Sequence, residues 1–116
     1  MSITADIIRG HTETIILARL IRQDSYGYQI NKDIMEMTEN MYELKEATLY
    51  SAFRRLEQAN YIVSYWGNED IGARRRYYAI TEGGREYYVK SVHEWNDAKE
   101  IIDKLIEACP SVPEEN

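Results

Sequence analysis

The chain has 116 residues, 44% of them hydrophobic and 29% charged, with two Pro, six Gly and one Cys. That length suits one domain with one modest core, and the composition excludes collagen-like, low-complexity and wholly disordered classes. The formal net charge of −6 argues, taken alone, against nucleic acid.

In chain order, residues 4–23 read as a first helix. Ile8, Thr12, Ile15, Ile16 and Leu20 recur on one side, and Ile7, Thr14, Leu17 and Ile21 form a second apolar stripe. One face is expected against the core and the other against a partner chain. Asp24 and Ser25 supply capping groups for a second helix over 26–38, with Tyr26, Ile30, Ile34 and Met37 inward. Residues 38–43 make a polar loop that contains neither Gly nor Pro.

A third helix spans 45–58. Leu49, Ala52, Phe53 and Leu56 follow the i, i+3, i+4, i+7 rule and form a narrow core stripe. A turn of about 100° per residue puts Ala47, Tyr50, Ser51, Arg54, Arg55 and Gln58 on the other side, flanked by Thr48. Tyr50 reads either as a base contact or as a partly buried surface ring.

Residues 61–66 and 77–80 are rich in β-branched and aromatic side chains, with Gly67, Asn68 and Gly72 as turn residues between them. They form a hairpin in which Trp66 is expected as a core anchor. Arg74 and Arg76 should point one way and Arg75 the other, because side chains alternate along a strand. Thr81 then caps a last helix reaching about Ala108, where Tyr88, Val92, Trp95, Ile102, Leu105 and Ile106 recur at three- or four-residue steps. Such a helix approaches about 40 Å, longer than this body needs, so its far end is expected to pack on a second subunit.

Charge is uneven along the chain. Residues 45–80 hold Lys45, Arg54, Arg55, Arg74, Arg75 and Arg76 against four acidic residues, whereas both flanks are acidic. Phosphate responds to local potential within roughly 8 Å, so an acidic body with one basic strip is compatible with DNA binding.

No Gly-rich phosphate loop or nucleophile elbow is present, so an enzyme is not expected. His11 and His93 stand far apart without ligand-spaced cysteines, so no metal and no cofactor are expected. Cys109 reads as an inert thiol without an intramolecular partner. With no long apolar run and no basic-then-apolar start, the expectation is a cytoplasmic protein without membrane association.

Three helices, a two-stranded hairpin and a further helix make a mainly helical (α+β) winged helix-turn-helix with a long C-terminal dimerisation helix. The segments ILARLIRQDSYGYQI, LKEATLYSAFRRLEQANYI, SYWGNEDIGARRRYYAIT and EGGREYY resemble the PadR family of bacterial transcriptional regulators. Within it, the single last helix carrying Trp95 is similar to the small LmrR-like, multidrug-responsive subfamily.

The resemblance implies a homodimeric repressor on a pseudo-palindromic double-stranded operator. Residues 1–80 would form the DNA-binding unit, whose first helix also contributes to the dimer, 81–108 the dimerisation helix and 109–116 a flexible tail. Lys45, Thr48, Tyr50, Ser51, Arg54 and Arg55 inherit base and phosphate contacts from the family's third helix. Gly72, Arg74, Arg75 and Arg76 inherit the backbone or minor-groove contacts of its wing. A small planar aromatic or drug-like effector is implied at Trp95, within a wall of Ile7, Gly10, Thr14, Leu17, Tyr88 and Val92. Trp95 reads equally as plain interface packing. Glu13, Asp97 and Lys99 depart from the family pattern by bringing charge near that wall. The alternative function is a winged-helix module for protein association, which the net charge of −6 favours.

Overall fold

Phe53 marks the centre of the molecule. Its ring stacks on Tyr78 at 3.9 Å between centroids and an interplanar angle of 17°, while Tyr50 meets its edge at 5.5 Å. Around it, Ile16, Leu17, Leu20, Ile30, Ile34, Leu44, Leu49, Ala52, Leu56 and Ile62 close a single apolar core. A buried aliphatic or aromatic side chain contributes about 1.5–3 kcal/mol, so this cluster is what holds the helices on the sheet.

The computed structural model describes residues 3–67 and 74–107. Elements follow in the order α1 (Ile3–Arg9), α2 (Thr12–Leu20), β1 (Ser25–Tyr26), α3 (Gly27–Met37), α4 (Glu46–Gln58), β2 (Ile62–Trp66), β3 (Arg76–Ile80) and α5 (Glu82–Ile106). Antiparallel strands make a sheet of order β1-β3-β2, in register from Ile62 opposite Ile80 to Trp66 opposite Arg76. The fold is mostly helical with a hairpin wing and a long C-terminal helix, a winged helix-turn-helix as the sequence indicates.

The first helix is two helices. A turn at Gly10 and His11 breaks it, with His11 N–H donating to Ile8 O at 2.8 Å and the buried Thr12 hydroxyl donating to Arg9 O at 2.8 Å. Gly10 supplies the weak point, since glycine costs about 1 kcal/mol relative to alanine inside a helix.

Asp24 and Ser25 do not cap α3. Ser25 and Tyr26 instead pair with Tyr78 and Tyr77 as β1, and the Tyr26 N-cap makes no side-chain capping bond. Met37, expected inward, is 63% exposed, because α3 ends there and its last turn passes beyond the core. Thr38 closes that end by donating its hydroxyl to Ile34 O at 2.8 Å and accepting from Tyr42 N–H at 3.1 Å. Glu39 and Asn40, both at positive φ, turn the chain without a glycine. Asn31 then exchanges two hydrogen bonds with the Leu44 backbone, at 2.7 and 2.8 Å, which seats Leu44 in the core ahead of α4.

Leu49, Ala52, Phe53 and Leu56 of α4 are all buried, as their spacing requires. The helix ends in a left-handed Asn60 (φ 63°), where Tyr61 N–H reaches Leu56 O and Asn60 N–H reaches Glu57 O, a Schellman closure. Thr81 caps α5 as anticipated: its hydroxyl oxygen accepts from Gly84 N–H at 3.0 Å and its proton goes to Asn60 O at 2.7 Å.

Candidate nucleic-acid interface and ligand groove

On α4, Ala47, Tyr50, Arg54, Arg55 and Gln58 are exposed, and Thr48 and Ser51 are half-buried. Lys45 stands exposed at the N-cap. Arg54 and Lys45 have no ion-pair partner among the described residues. Arg55 differs. Its Nε donates to Glu13 Oε2 at 2.7 Å and its terminal nitrogen to Ser51 Oγ at 3.1 Å. The same carboxylate accepts from the Tyr87 hydroxyl at 3.4 Å, so α2, α4 and α5 meet at Glu13.

Tyr50 is a partly buried surface ring. The ring packs on Phe53 and its hydroxyl rests against Gly27, where a Cβ would lie 2.7 Å from the phenol oxygen, yet 43% of the residue is exposed. Tyr28, on the first turn of α3, is exposed and lines the same crevice of about 220 Å³. The sequence reading missed Tyr28. Its signal is the Tyr-Gly-Tyr run, in which the small middle residue lets two helices meet and leaves flanking rings at the surface.

The wing arginines alternate in side, although only Arg76 lies within β3. Arg76 and Arg74 share one side, over the Tyr78 ring at 5.8 Å and the Trp66 ring at 5.6 Å, while Arg75 lies on the other, 4.9 Å from Tyr26. Arg76 donates to Ser64 Oγ at 2.9 Å and pairs with Glu57 at 3.4 Å. Trp66 is no core anchor. It is 55% exposed at the end of β2, opposite Arg76, beyond the α4 residues that fill the core. Gly67 N–H bonds Arg75 O at 2.7 Å and closes the described end of the wing. Gly72 lies outside the described residues, as does Cys109. On the outer face, the Tyr65 hydroxyl donates to Asp24, and this bond is the main cause that raises the Tyr65 pKa above that of an ordinary phenol.

A second feature lies between the α1–α2 turn and α5, a largely apolar groove of about 300 Å³. Ile7, Thr14, Tyr88, Val92 and Trp95 line it, five of the seven residues that the resemblance assigned to an effector wall. Leu17 does not. It is fully buried within the core. Gly10 sits in the turn and contributes no wall. The sequence reading missed Ile8, His11, Ile15 and Ala18, although at i+1, i+4, i+8 and i+11 from Ile7 they share its helical face with Thr14. Trp95 is 38% exposed, with the His11 ring edge-on at 4.5 Å and the Lys99 ammonium 5.8 Å from its centroid. Lys99 thus brings the expected charge to the wall, whereas Glu13 turns away toward Arg55. Beyond the groove, Ile101, Ile102, Leu105 and Ile106 of α5 are all about half or more exposed.

Among the described residues, no group of three or more His, Cys, Asp or Glu is placed to hold a metal ion. No helix there is long and apolar enough to cross a membrane.

Residues 16–90 match the family model described as the transcriptional regulator PadR-like family. A transcriptional regulator from Clostridium thermocellum is 50% identical, with a TM-score of 0.81 over 89% of this chain and 97% of that one. A PadR family transcription regulator from Clostridium difficile is 34% identical, with a TM-score of 0.73 over 83% of this chain and 98% of that one. An uncharacterised protein from Lysinibacillus sphaericus is 45% identical over 90% of this chain and 96% of its own length. The regulators of this family are non-catalytic transcription factors. A sequence match over well more than half of the chain thus coincides with the winged fold, and the protein belongs to the PadR-like family of transcriptional regulators.

Proposed function

We propose that this regulator acts as a homodimeric repressor. Two copies grip a pseudo-palindromic duplex through α4 and the wing, and a planar aromatic effector at Trp95 releases it, as in the LmrR-like subfamily. The observation that carries the DNA reading is a contrast of charge. The chain is acidic, yet Lys45, Arg54 and Arg74 stand exposed without a carboxylate partner among the described residues, the first two on the α4 segment that also carries the hydrogen-bonding Thr48, Tyr50 and Ser51. In helix-turn-helix proteins the second helix of the pair enters the major groove, which gives α4 the base edges and leaves phosphates to Arg54, Arg74, Arg75 and Arg76. Dimerisation is supported by the bare apolar end of α5, which no part of the described chain covers. In this reading residues 1–80 bind DNA, 81–108 join the subunits and 109–116 form a tail.

The effector reading rests on the half-exposed Trp95 over a largely apolar groove. An effector releases DNA only by its differential affinity for the subunit arrangement that cannot span two half-sites.

The test is a titration of labelled duplex from upstream of the protein's own gene at several salt concentrations. A log–log slope of several negative units is expected, because each neutralised phosphate contributes about −0.9. Arg74→Ala or Arg75→Ala should weaken binding to all sequences alike, whereas Ser51→Ala or Tyr50→Phe should shift sequence preference. A flat salt dependence refutes phosphate gripping.

A further inference from the structure

We infer that Glu13 holds Arg55 away from DNA and thereby sets the affinity of the recognition helix. The inference rests on the DNA-binding reading and goes beyond it, because Glu13 lies on neither α4 nor the wing.

A guanidinium offers two bidentate edges to a phosphate, one made of Nε with a terminal nitrogen and one of the two terminal nitrogens together. In Arg55 each edge has one donor engaged. Nε is held by Glu13 Oε2 at 2.7 Å, and one terminal nitrogen by Ser51 Oγ at 3.1 Å. A phosphate oxygen that takes either edge in fork geometry displaces one of these partners. Glu13 is the stronger competitor, since it offers a carboxylate where Ser51 offers a hydroxyl and its side chain is only 28% exposed, whereas the Arg55 side chain is 53% exposed. The carboxylate also accepts from the Tyr87 hydroxyl at 3.4 Å, which ties it to α5 as well as to Arg55.

Arg54 and Arg55 are therefore not equivalent despite adjacency on one basic run. Arg54 presents a full positive charge. Arg55 presents a neutralised pair until the duplex competes for it. Placement adds consequence, because α2 carries this competitor together with the groove residues Thr14 and Ile15.

A double-mutant cycle on the full chain tests the inference, with duplex affinity measured across salt in each variant. Glu13→Gln removes the charge but keeps length and an acceptor for Tyr87. It should tighten binding by up to about tenfold for each Arg55 released at 0.1 M salt, and steepen the salt slope by about 0.9 for each released guanidinium. In an Arg55→Gln background the same change should do nothing. Equal tightening in that background would mean a through-space charge effect and overturn the inference. Unchanged or weaker binding in Glu13→Gln would overturn it as well, the latter assigning Glu13 to orienting Arg55. Should Glu13→Gln fold poorly by circular dichroism, Glu13→Ser serves the same cycle with the same outcomes. If the unaltered chain binds no duplex, the DNA-binding reading itself fails, a result distinct from all of these.

Discussion

Two adjacent glycines at the start of α5 should respond to alanine with opposite sign. A Cβ on Gly84 would fall inside the contact distance of the Tyr61 carbonyl oxygen, 3.0 Å from the carbonyl carbon and 2.8 Å from Ile80 Cγ1. Neither neighbour yields easily. The Tyr61 carbonyl accepts from Thr81 N–H at 3.0 Å, and Tyr61 N–H is tied to Leu56 O at 2.9 Å, so moving that peptide loosens the α4 closure and the α5 entry together. Overpacking of this kind costs about 1–3 kcal/mol, and a compromised backbone bond adds about 0.5–1.5 kcal/mol. Against this, alanine gains at most about 1 kcal/mol of helix propensity over glycine. The clash wins, with a net loss of about 1–3 kcal/mol. At Gly83 the balance reverses. Its Cβ would meet only Thr81 Oγ1 at 3.8 Å and Asn60 O and Tyr61 Cδ1 at 3.9 Å, ordinary contacts, so Gly83→Ala should stabilise by about 0.4–1 kcal/mol. Urea titration followed by circular dichroism measures both, at one protein concentration because association shifts apparent stability. A Gly84→Ala protein as stable as the unaltered chain would refute the close approach of α5 to the Tyr61 carbonyl.

Leu105→Glu should shift the molecule toward monomer in analytical ultracentrifugation, since it places a charge in the apolar end that dimerisation is proposed to bury. Trp95→Ala should abolish binding of a planar aromatic dye measured by equilibrium dialysis while thermal stability falls only modestly, because the ring is 38% exposed. Stability should fall with rising pH above about 10. Burial raises the Tyr78 and Tyr87 phenol pKa values, the folded state holds those protons longer than the unfolded chain does, and the stabilising effect is lost as pH climbs through the folded values. Tyr87→Phe should make that alkaline decline shallower in urea titrations between pH 9 and 11.

Much of the local structure was written in the side chains. The α4 stripe follows from the helical period, the alternation of Arg74, Arg75 and Arg76 from the two-residue period of extended chain, and the capping of α5 from the Thr81 hydroxyl. Where periods are too short to register, the reading failed. Two residues of β1 carry no alternation, so Ser25 reads as a cap and Tyr26 as the first inward residue of a helix. Met37 fitted a helical stripe but stands where the helix leaves the core, and Trp66 fitted a strand but stands where the strand leaves it.

The sequence by itself determined where helices form, apart from the break at Gly10 and the strand at Ser25 and Tyr26, which faces are apolar and where positive charge concentrates, because these depend on neighbours a few positions away. Tertiary structure decided which element covers each face. It broke the first helix at Gly10, turned Leu17 inward and His11 toward Trp95, and joined Glu13 to Arg55 across 42 positions of chain. Periodicity assigns a side chain to a face but not to a partner, and a partner is chosen only when distant segments compete for the same core.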